Sequence, residues 1–443
     1  MRSASDTLLW PAVLPRGLSA VHGYWLQLME TERLPWRLLR QLQSVQLAAR
    51  LAHAAQYSPH FRDLIGSRAI DPRSAHRILA GLPLLTRSDL QTKGADLFPK
   101  VGREHGKVVE KRTTGSTGQP VTVMTTQAAF AFREAVTMRT YHAFGVDFAQ
   151  PFAAIRSQLG RGQAEGVSLP DWGGSLGRLL ETGPSHGLSL DTPLDRQAAW
   201  LLRHRPGYLL TYPSNLALLA EVLPEPWPGL RAVMTLGENV SDDLRDLIRT
   251  RWGVPIFDQY SSEELGTIAA QCEKGAYHVV SEGAVVELLD DAGRPVGPGG
   301  TGRVVVTDLQ NLATTLLRYE LRDWAEAGEH CSCGRHTPVI RRIVGRTRNR
   351  LTLPDGRKIW PNAGLRRFKD FPVRQMQLVQ VAIDRLELRV HVDCPLDDAG
   401  RSSLAAYIRG NLGECFVVEV MDFQAALPAG PGGKFEQFVS LLP

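Results

Sequence analysis

The stretch that decides the fold of this chain is rich in glycine and small hydroxyl side chains, and it reads Thr113-Thr114-Gly115-Ser116-Thr117-Gly118-Gln119-Pro120. The glycines let backbone N–H groups approach a ligand closely, and the hydroxyls add donors, so the stretch is suited to wrapping phosphate oxygens. It is not a Walker loop, because no Gly-Lys-Ser/Thr ends it. Lys111 and Arg112 precede it, and the strand-like Val121 to Met124 follows it. A loop beside a strand is the place at which an α/β sheet commonly binds a ligand. The stretch indicates nucleotide chemistry, with a polar surface hairpin as the alternative.

Further motifs follow along the chain: Leu236-Gly237-Glu238, Tyr260-Ser261-Ser262-Glu263-Glu264, Arg318-Tyr319-x3-Asp323, Gly345-Arg346 and Gly432-Gly433-Lys434-Phe435. Together with the glycine-rich stretch they resemble the motifs of the adenylate-forming superfamily, and they stand in the same order. In that superfamily acyl-CoA synthetases, adenylation domains and luciferases activate a carboxylate with ATP. The resemblance implies an ATP-dependent, AMP-forming acid–thiol ligase.

The N-terminal part narrows the resemblance to one branch. The segment Leu82 to Leu90, which reads LPLLTRSDL, follows the helical segment Ala54 to Arg62. This combination is similar to the phenylacetate-CoA ligase and coenzyme F390 synthetase branch. The resemblance covers roughly residues 40 to 443.

Length and composition describe a globular protein of more than one domain. The chain has 443 residues, of which 43% are hydrophobic and 22% charged, and this length exceeds what one hydrophobic core usually serves. We expect an α/β fold with a large domain over residues 1–345, whose mixed, mostly parallel sheets are flanked by helices. A small, mobile α+β domain over residues 346–443 is expected to carry the catalytic-lysine loop.

Composition also limits the partners. No apolar run reaches the roughly 18 residues of a membrane helix, and no signal peptide is recognisable, so we expect a cytoplasmic protein without membrane contact. The basic residues are scattered although the net charge is +5. The only dense basic segment, Arg341 to Arg350, is explained by the hinge, so we expect no nucleic-acid partner. The sequence leaves open whether the protein forms a homodimer.

Hydrophobic patterning divides the chain further. Residues 1–100 are mainly helical in pattern, and one stripe at helical spacing is interpreted as a packing face: Leu38, Leu42, Val45, Ala49 and Ala52. Between Lys107 and Val344, alternating strand-like and helical pieces predict parallel strands with crossover helices. Val279 to Leu289 and Gly302 to Leu309 predict antiparallel strands of a smaller sheet or barrel. After the hinge, two strands, a helix from about Asp398 to Leu412 and a further strand predict the small domain.

The superfamily resemblance also implies a role for each motif residue. The β- and γ-phosphates are expected against the hydroxyl and glycine residues of the first stretch: Thr113, Thr114, Gly115, Ser116, Thr117 and Gly118. Gly237 and Glu238 border the adenine. Tyr260 stacks on the adenine, and Asp323 accepts hydrogen bonds from the ribose.

The remaining roles concern charge and motion. Glu264 matches the acidic residue near Mg²⁺, although Glu263 beside it offers a second carboxylate. Lys434 is expected to neutralise the charge that grows on the α-phosphate and the carboxylate during adenylation. Arg346 is expected to contact the nucleotide and belongs to the hinge, about which the small domain then turns to admit a thiol.

The acid pocket is expected between aromatic side chains. Tyr141, Phe144 and Tyr212 would favour a flat aryl acid, with ordinary core packing as the alternative. The implied acceptor is CoA, and a carrier protein or an amine stays open. Coenzyme F390 synthetase-like members instead place AMP on a phenolic hydroxyl.

Three residues depart from the superfamily pattern. Arg322 and Ser261 each replace a glycine, and Glu436 stands where a basic residue is frequent. A scaffold that has lost turnover is therefore a further alternative.

Five cysteines, an odd number, do not predict a disulfide framework. Two pairs of soft ligands, Cys272 with His278 and Cys331 with Cys333, are separated by a strand-rich stretch, and zinc binds four such ligands as a tetrahedron. His330 or His336 can replace His278, and incidental thiols are the alternative. Some members of the phenylacetate-CoA ligase branch carry a similar cluster, which implies a structural zinc at Cys272, His278, Cys331 and Cys333.

Overall fold

The computed structural model describes residues 1–8, 11–113, 120–157, 159–160, 162–163, 165–346, 350–359, 361, 371, 373–428 and 435–442. The predicted phosphate loop beyond Thr113, the residues 347–349 of the hinge, and Lys434 therefore lie outside the described residues. The helices are α1 Ser19–Thr31, α2 Trp36–Tyr57, α3 Pro59–Ile65, α4 Ala75–Ala80, α5 Arg87–Thr92, α6 Gly94–Leu97, α7 Gln127–Ala143, α8 Gly174–Leu179, α9 Leu194–His204, α10 Pro213–Val222, α11 Asp242–Trp252 and α12 Asp398–Leu412. Within the described parts, no helix is both long enough and apolar enough to span a membrane.

The strands are β1 Val108–Thr113, β2 Val121–Thr126, β3 Phe152–Arg156, β4 Val167–Leu169, β5 Ser185–Ser189, β6 Tyr208–Thr211, β7 Ala232–Leu236, β8 Ile256–Ser262, β9 Gly266–Gln271, β10 Tyr277–Val279, β11 Ala284–Leu289, β12 Thr301–Asp308, β13 Tyr319–Ala327, β14 Val339–Arg346, β15 Leu351–Thr352, β16 Lys358–Ile359, β17 Val373–Ala382, β18 Arg385–Val392, β19 Val417–Phe423 and β20 Phe438–Ser440. β1 and β2 form the antiparallel hairpin that flanks the glycine-rich stretch. The large sheet has the strand order β11-β12-β13-β14-β10-β9-β8-β7-β6-β3-β5-β4.

Helices cover both faces of the parallel strands, as the alternating pattern predicts. Leu209 and Val233 pack in one core with α9, α10 and α11. Their neighbours Leu210 and Met234 point to the other face and pack in a core with α7. Neighbouring strand residues face opposite sides of a sheet, so these strands are buried on both faces.

Two expectations about the sheets were wrong. The strands β11 to β14 do not form a separate sheet or barrel, because β8 pairs with β9 and β10 pairs with both β9 and β14, so one twelve-stranded sheet results. The sheet is mixed, and its parallel pairs are confined to β3, β5, β6, β7 and β8. The antiparallel pairs of the sheet are more numerous than these parallel pairs. A strand edge left unpaired is unfavourable, and the β8–β9 hairpin continues the hydrogen bonding past the last parallel strand.

The stripe of α2 interpreted as a packing face is instead its solvent face. Leu38, Leu42 and Val45 are 40%, 54% and 57% exposed, and Ala49 and Ala52 are exposed as well. The buried face of α2 contains Leu39, Gln43, Leu47, Ala48, Arg50, Leu51 and Ala54. The interpretation failed because the fold buries the opposite face, which combines apolar side chains with Gln43 and Arg50.

Hydrogen bonds to the sheet explain the burial of these polar residues. Gln43 Nε2 donates to the carbonyls of Ser281 and Ala284 at 2.9 and 3.1 Å. Arg50 donates to the carbonyls of Asp308 and Thr314 at 3.1 and 2.8 Å. Buried polar groups with such partners no longer oppose burial, so α2 docks on this mixed face rather than on its most apolar one.

The C-terminal part has a hydrophobic core of its own. Its sheet has the order β19-β18-β17-β20, and α12 packs on it through Leu404 and Ile408. Asp397 caps α12, since its carboxylate accepts from the Gly400 N–H at 2.7 Å. The bounds of α12 are those that the sequence predicts.

Candidate active site and metal centre

Glu238 lies directly after β7, where the parallel strands end. The preceding Gly237 has a φ of 79°, a left-handed conformation that glycine adopts without strain. The Glu238 carboxylate accepts hydrogen bonds from the backbone N–H and the hydroxyl of Ser214, at 2.9 and 3.1 Å. Ser214 belongs to the first turn of α10, where unpaired N–H groups and the helix dipole stabilise a negative charge.

The C-terminal part reaches the same carboxylate. The backbone N–H of Phe435 donates to Glu238 Oε1 at 3.3 Å. Phe435 directly follows Lys434 in the sequence. The sequence neighbour of the predicted catalytic lysine thus contacts a residue predicted to border the adenine.

The residues predicted for adenine, ribose and hinge lie together. The Tyr260 hydroxyl donates to Asp323 Oδ2 at 2.8 Å. Asp323 of β13 is in turn the cross-strand partner of Arg346, at the end of β14. The residue predicted to bind the ribose is thus paired with the last described residue before positions 347–349 of the hinge.

The two candidate magnesium carboxylates have different surroundings. Glu264 is only 7% exposed, and Arg87 Nη1 lies 3.4 Å from its Oε1. Arg133 donates to the Glu264 backbone carbonyl at 2.6 Å. Glu263 forms an exposed ion pair with Lys111, on the strand that precedes the glycine-rich stretch.

The sequence analysis did not assign Arg87 to the site. It reaches Glu264 because Leu85 extends β13: the Leu85 N–H donates to the carbonyl of Arg318, and the N–H of Glu320 donates to Leu85, both at 2.9 Å. The only sequence signal was its place within the LPLLTRSDL segment.

Two arginines of the Arg-Tyr-x3-Asp motif have left-handed backbones, with φ of 51° for Arg318 and 62° for Arg322. Arg318 pairs with Glu287 at 3.1 Å and donates to the carbonyls of Ala80 and Leu82, so its side chain anchors the N-terminal part. Arg322 stands where the superfamily has glycine, and its φ gives the physical reason for that glycine.

The three predicted acid-pocket aromatics have different surroundings. Tyr141 packs edge-on against Trp172, with the ring centres 6.2 Å apart, and burial raises its pKa to about 12. Phe144 stacks on Phe257 at 4.4 Å. The Tyr212 hydroxyl lies 3.5 Å from Ser157 Oγ, and Tyr212 is two residues before Ser214. Tyr141 and Phe144 share one core, whereas Tyr212 lies close in sequence to Ser214, which contacts Glu238.

The four predicted zinc ligands converge. All are buried, and one donor atom from each of Cys272, His278, Cys331 and Cys333 lies within 4.8 Å of the others. The Cys272 and Cys331 sulfurs are 3.7 Å apart, and tetrahedral zinc with Zn–S bonds of about 2.3 Å separates two sulfurs by about 3.8 Å. His278 Nε2 lies 3.2 Å from the Cys333 sulfur. Their spacing fits a tetrahedral metal.

The surroundings of this centre also suit a metal. Burial lowers the pKa of His278 to about 4, so the imidazole is neutral at physiological pH, which is the ligating form. Its Nδ1 lies 3.3 Å from Thr337 Oγ1, a contact that orients the ring. The alternative ligands His330 and His336 instead contact each other at 3.3 Å.

The centre is connected to the strand that carries Tyr260. Gln271 precedes the ligand Cys272, and its Oε1 accepts from the Asp258 N–H at 3.2 Å. Tyr277 precedes the ligand His278, and its hydroxyl donates to Asp258 Oδ2 at 2.5 Å. Asp258 lies in β8, two residues before Tyr260, so both ligand-bearing segments brace this strand.

Comparison with known proteins gives three informative matches. No family model matches the chain. The chain is 27% identical to the phenylacetate-coenzyme A ligase of Thermus thermophilus, over 93% of this chain and 98% of that protein. It also resembles the structure of a 2-hydroxyisobutyryl-CoA ligase in the postadenylation state with 2-HIB-AMP, at a TM-score of 0.74 and 19% identity, over 93% of this chain and 91% of the other.

The third match is the same ligase with CoA in its thioesterification state. Identity and coverage are unchanged, at 19%, 93% and 91%, but the TM-score falls to 0.59. The overall fold of this chain therefore superimposes better on the postadenylation structure than on the thioesterification structure of that ligase.

The predicted superfamily and α/β fold class are confirmed by these matches together. The motifs stand in the superfamily's order, the sequence match spans nearly both chains, and the fold match spans both parts of the chain. The sequence match and the fold match thus support the predicted assignment to the adenylate-forming superfamily, in its phenylacetate-CoA ligase and coenzyme F390 synthetase-like branch.

Proposed function

We propose that this protein activates a small carboxylic acid with ATP and transfers the acyl group to the thiol of CoA. The observation that carries the proposal is the contact between Phe435 and Glu238, because it brings the sequence neighbour of Lys434 to a nucleotide-side residue. A contact of this kind is what adenylation requires of a catalytic lysine on a separate C-terminal core.

The first step forms the acyl-adenylate. A carboxylate oxygen attacks the α-phosphorus, the bond to the β-phosphate bridging oxygen breaks, and pyrophosphate leaves with that electron pair. The acid is already ionised at neutral pH, so the step requires alignment and charge stabilisation rather than a base. Tyr260 and Asp323 hold the nucleoside, and the Lys434 ammonium neutralises charge at the α-phosphate.

The second step forms the thioester. The CoA sulfur attacks the acyl carbon, the thiol proton is lost to solvent, and AMP leaves with the electrons of the broken C–O bond. The Lys434 loop must first withdraw, so the hinge at Arg346 turns the C-terminal domain about the boundary between residues 345 and 346. The hydrogen bond between Phe435 and Glu238 is released in that turn.

Mg²⁺ would be held by Glu264, whose carboxylate is the oxygen ligand that a hard cation prefers. When bound, the ion neutralises phosphate charge. Arg87 balances the charge of the buried Glu264 carboxylate. Lys111 and Arg112 add positive charge beside the predicted phosphate loop.

The substrate we favour is an aryl acid, bound near Tyr141, Phe144 and Tyr212. The aromatic core around Tyr141 and the stacked Phe144 support a flat, apolar acyl group. Acceptors other than CoA, namely a carrier protein, an amine or a phenolic hydroxyl, are the competing outcomes of the test below.

The metal centre is proposed to hold a structural zinc. Four protein ligands leave no open position for water, so the ion contributes folding free energy rather than chemistry. Its role is to fix β9, β10 and the Cys331–Cys333 loop against one another.

An acid-dependent pyrophosphate-exchange screen across aryl, aliphatic and amino acids tests the proposal. We expect exchange with an aryl acid, a hydroxamate when hydroxylamine traps the adenylate, and AMP release that CoA accelerates. Exchange without a CoA effect would favour a carrier protein or an amine as acceptor. AMP attached to a phenol, with no hydroxamate from any acid, would replace the proposal by adenylyl transfer, and ATP binding without exchange would indicate a scaffold.

A further inference from the structure

Arg350 lies where the hinge ends and the C-terminal core begins. The next residue, Leu351, is fully buried in that core, so the backbone of Arg350 is fixed to the C-terminal part. Its guanidinium, however, packs on the large sheet of the N-terminal part, where its Cζ atom lies 4.4 Å from the centre of the Trp324 ring. The side chain therefore forms a contact across the hinge.

The surroundings of Trp324 leave room for this cation. Trp324 is only 4% exposed, and its cross-strand partner on β14 is Gly345, which has no side chain to pack beside the ring. Within the described part of the chain, Arg350 Nε is buried and has no hydrogen-bond partner. Asp291 lies 3.4 Å from Arg350 Nη1, but Asp291 is 73% exposed, so water and salt weaken this ion pair. The contact with the ring is shielded from water, and cation–π contacts are stronger when they are desolvated.

The position of the contact links it to one half-reaction. Trp324 directly follows the residue predicted to bind the ribose, and the structure that contains the Arg350–Trp324 contact also contains the hydrogen bond from Phe435 to Glu238. A turn of the C-terminal part about residues 346–349 carries Arg350 along, whereas Trp324 stays in the large sheet. The contact therefore stabilises the arrangement that is proposed for adenylation, and it has to break before the thioester step.

We propose that Arg350 is a positioning residue for adenylation, because its guanidinium holds the C-terminal part against the face of Trp324 until the turn that admits CoA. This inference rests on the proposed function, and it gives a role to the last residue of the basic segment 341–350. A contact that is made in only one of two states shifts the balance between them. Its loss is therefore expected to slow adenylation and to leave the thioester step accessible.

Rapid-quench assays of the two half-reactions provide the first test. Arg350→Met keeps the length of the side chain and removes its charge. It should slow adenylation about tenfold and leave thioester formation from a supplied acyl-adenylate unchanged or faster. Arg350→Lys should restore part of the rate, because an ammonium group also binds an aromatic face. The control Arg357→Met removes an exposed arginine that pairs with Asp355 in the same part of the chain, and it should change neither half-reaction.

Variants of the ring separate the contact from the size of the side chain. Trp324→Leu and Trp324→Phe both make the side chain smaller, but only phenylalanine keeps an aromatic face. We expect Trp324→Leu to slow adenylation as Arg350→Met does, and Trp324→Phe to slow it less. Trp324→Leu combined with Arg350→Met should lose no more than either single change, because both remove the same contact.

Limited digestion with trypsin tests the contact without any substrate. Trp324→Leu keeps every arginine of residues 346–350, and it should be cut within this segment several-fold faster than wild type, because Arg350 is no longer held against the ring. Trp324→Phe should be cut more slowly than Trp324→Leu. This order of rates depends on the aromatic face and not on a smaller side chain in the sheet.

Equal losses in both half-reactions would overturn the proposal, because the contact would then support the fold in every state. A double variant whose losses multiply, or Arg350→Met that adenylates like wild type, would overturn it equally. If wild type adenylates no acid, the proposed function fails, and the digestion rates alone decide whether the Arg350–Trp324 contact holds the two parts together.

Discussion

The nucleotide side and the metal centre hold distant segments together in opposite ways. At the predicted nucleotide side, hydrogen bonds contribute to joining them, such as those from Phe435 to Glu238 and from Tyr260 to Asp323. At the metal centre, four buried donors meet within 4.8 Å. Single hydrogen bonds contribute about 1 kcal/mol each and can be exchanged during a reaction cycle, whereas a closed ligand set cannot. If the C-terminal part turns and the metal binds as proposed, the contacts that move are weak and the contacts that stay fixed are multivalent.

The largest expected effect is on the rate of adenylation and tests the proposed movement of the C-terminal part. Lys434→Ala should slow adenylation by about 10³-fold, because one cation at the growing charge is lost, and it should leave thioester formation from a supplied acyl-adenylate nearly intact. Rapid-quench assays of the two half-reactions provide the measurement, with Lys358→Ala, an exposed lysine of β16, as the control. An equal loss in both half-reactions would mean that the lysine does not alternate.

The next largest expected effect is the loss of stability when a ligand of the metal centre is removed. Cys331→Ser should remove a zinc ligand and lower the free energy of unfolding by on the order of 3 kcal/mol, since metal binding is coupled to folding. Metal analysis and urea titration check this, and Cys394→Ser, an exposed free cysteine, should change neither. Wild type that is purified without zinc and is equally stable would make the cluster incidental. Metal removal that abolishes turnover without loosening the fold would contradict a structural role.

A smaller effect would show that the interdomain contact is specific to one half-reaction. Glu238→Gln keeps an oxygen acceptor but removes the charge that strengthens the bonds from Ser214 and Phe435. We expect adenylation to fall by about tenfold, which corresponds to 1.4 kcal/mol, with the thioester step unchanged. Glu436→Gln, a charge change close by in sequence, is the comparison variant. If both half-reactions lose activity, Glu238 supports the site in every conformation.

The smallest effect concerns backbone strain beside the ribose position. Arg322→Gly should stabilise the protein by about 1 kcal/mol, because the φ of 62° is unfavourable for any residue with a Cβ. The midpoint of thermal unfolding should rise. Arg205→Gly, at a φ of 43° after α9, should give a similar gain far from the nucleotide. No gain at Arg322 would mean that its side-chain contacts outweigh the strain.

Local patterns predicted local structure well. The spacing of Asp398 to Leu412 gave the helix α12, and the soft-ligand pairs around Cys272 and Cys331 gave a convergent cluster. Both depend on features that neighbouring residues carry themselves, namely helical periodicity and ligand chemistry. The superfamily and its fold class followed from motif order.

Long-range choices were not predictable from local patterns. The buried face of α2 depends on carbonyls of residues such as Ser281 and Asp308, which the helix sequence does not reveal. The contact of Arg87 with Glu264 likewise depends on Leu85 joining β13. Single-sheet continuity depended on pairings between strands that are far apart in sequence, such as β10 with β14.

The docking of α2 has a consequence for synthesis of the chain. The hydrogen-bond partners of Gln43 and Arg50 lie 238 to 264 residues downstream. At translation rates of roughly 5 to 20 residues per second, α2 emerges from the ribosome roughly 15 to 50 s before its last partner exists. During that interval only the contacts of α2 with nearby elements such as α3 and α4 can form, and Arg50 remains solvated by water. The buried polar side chains of α2 therefore reach their native partners only after residue 314 has been synthesised.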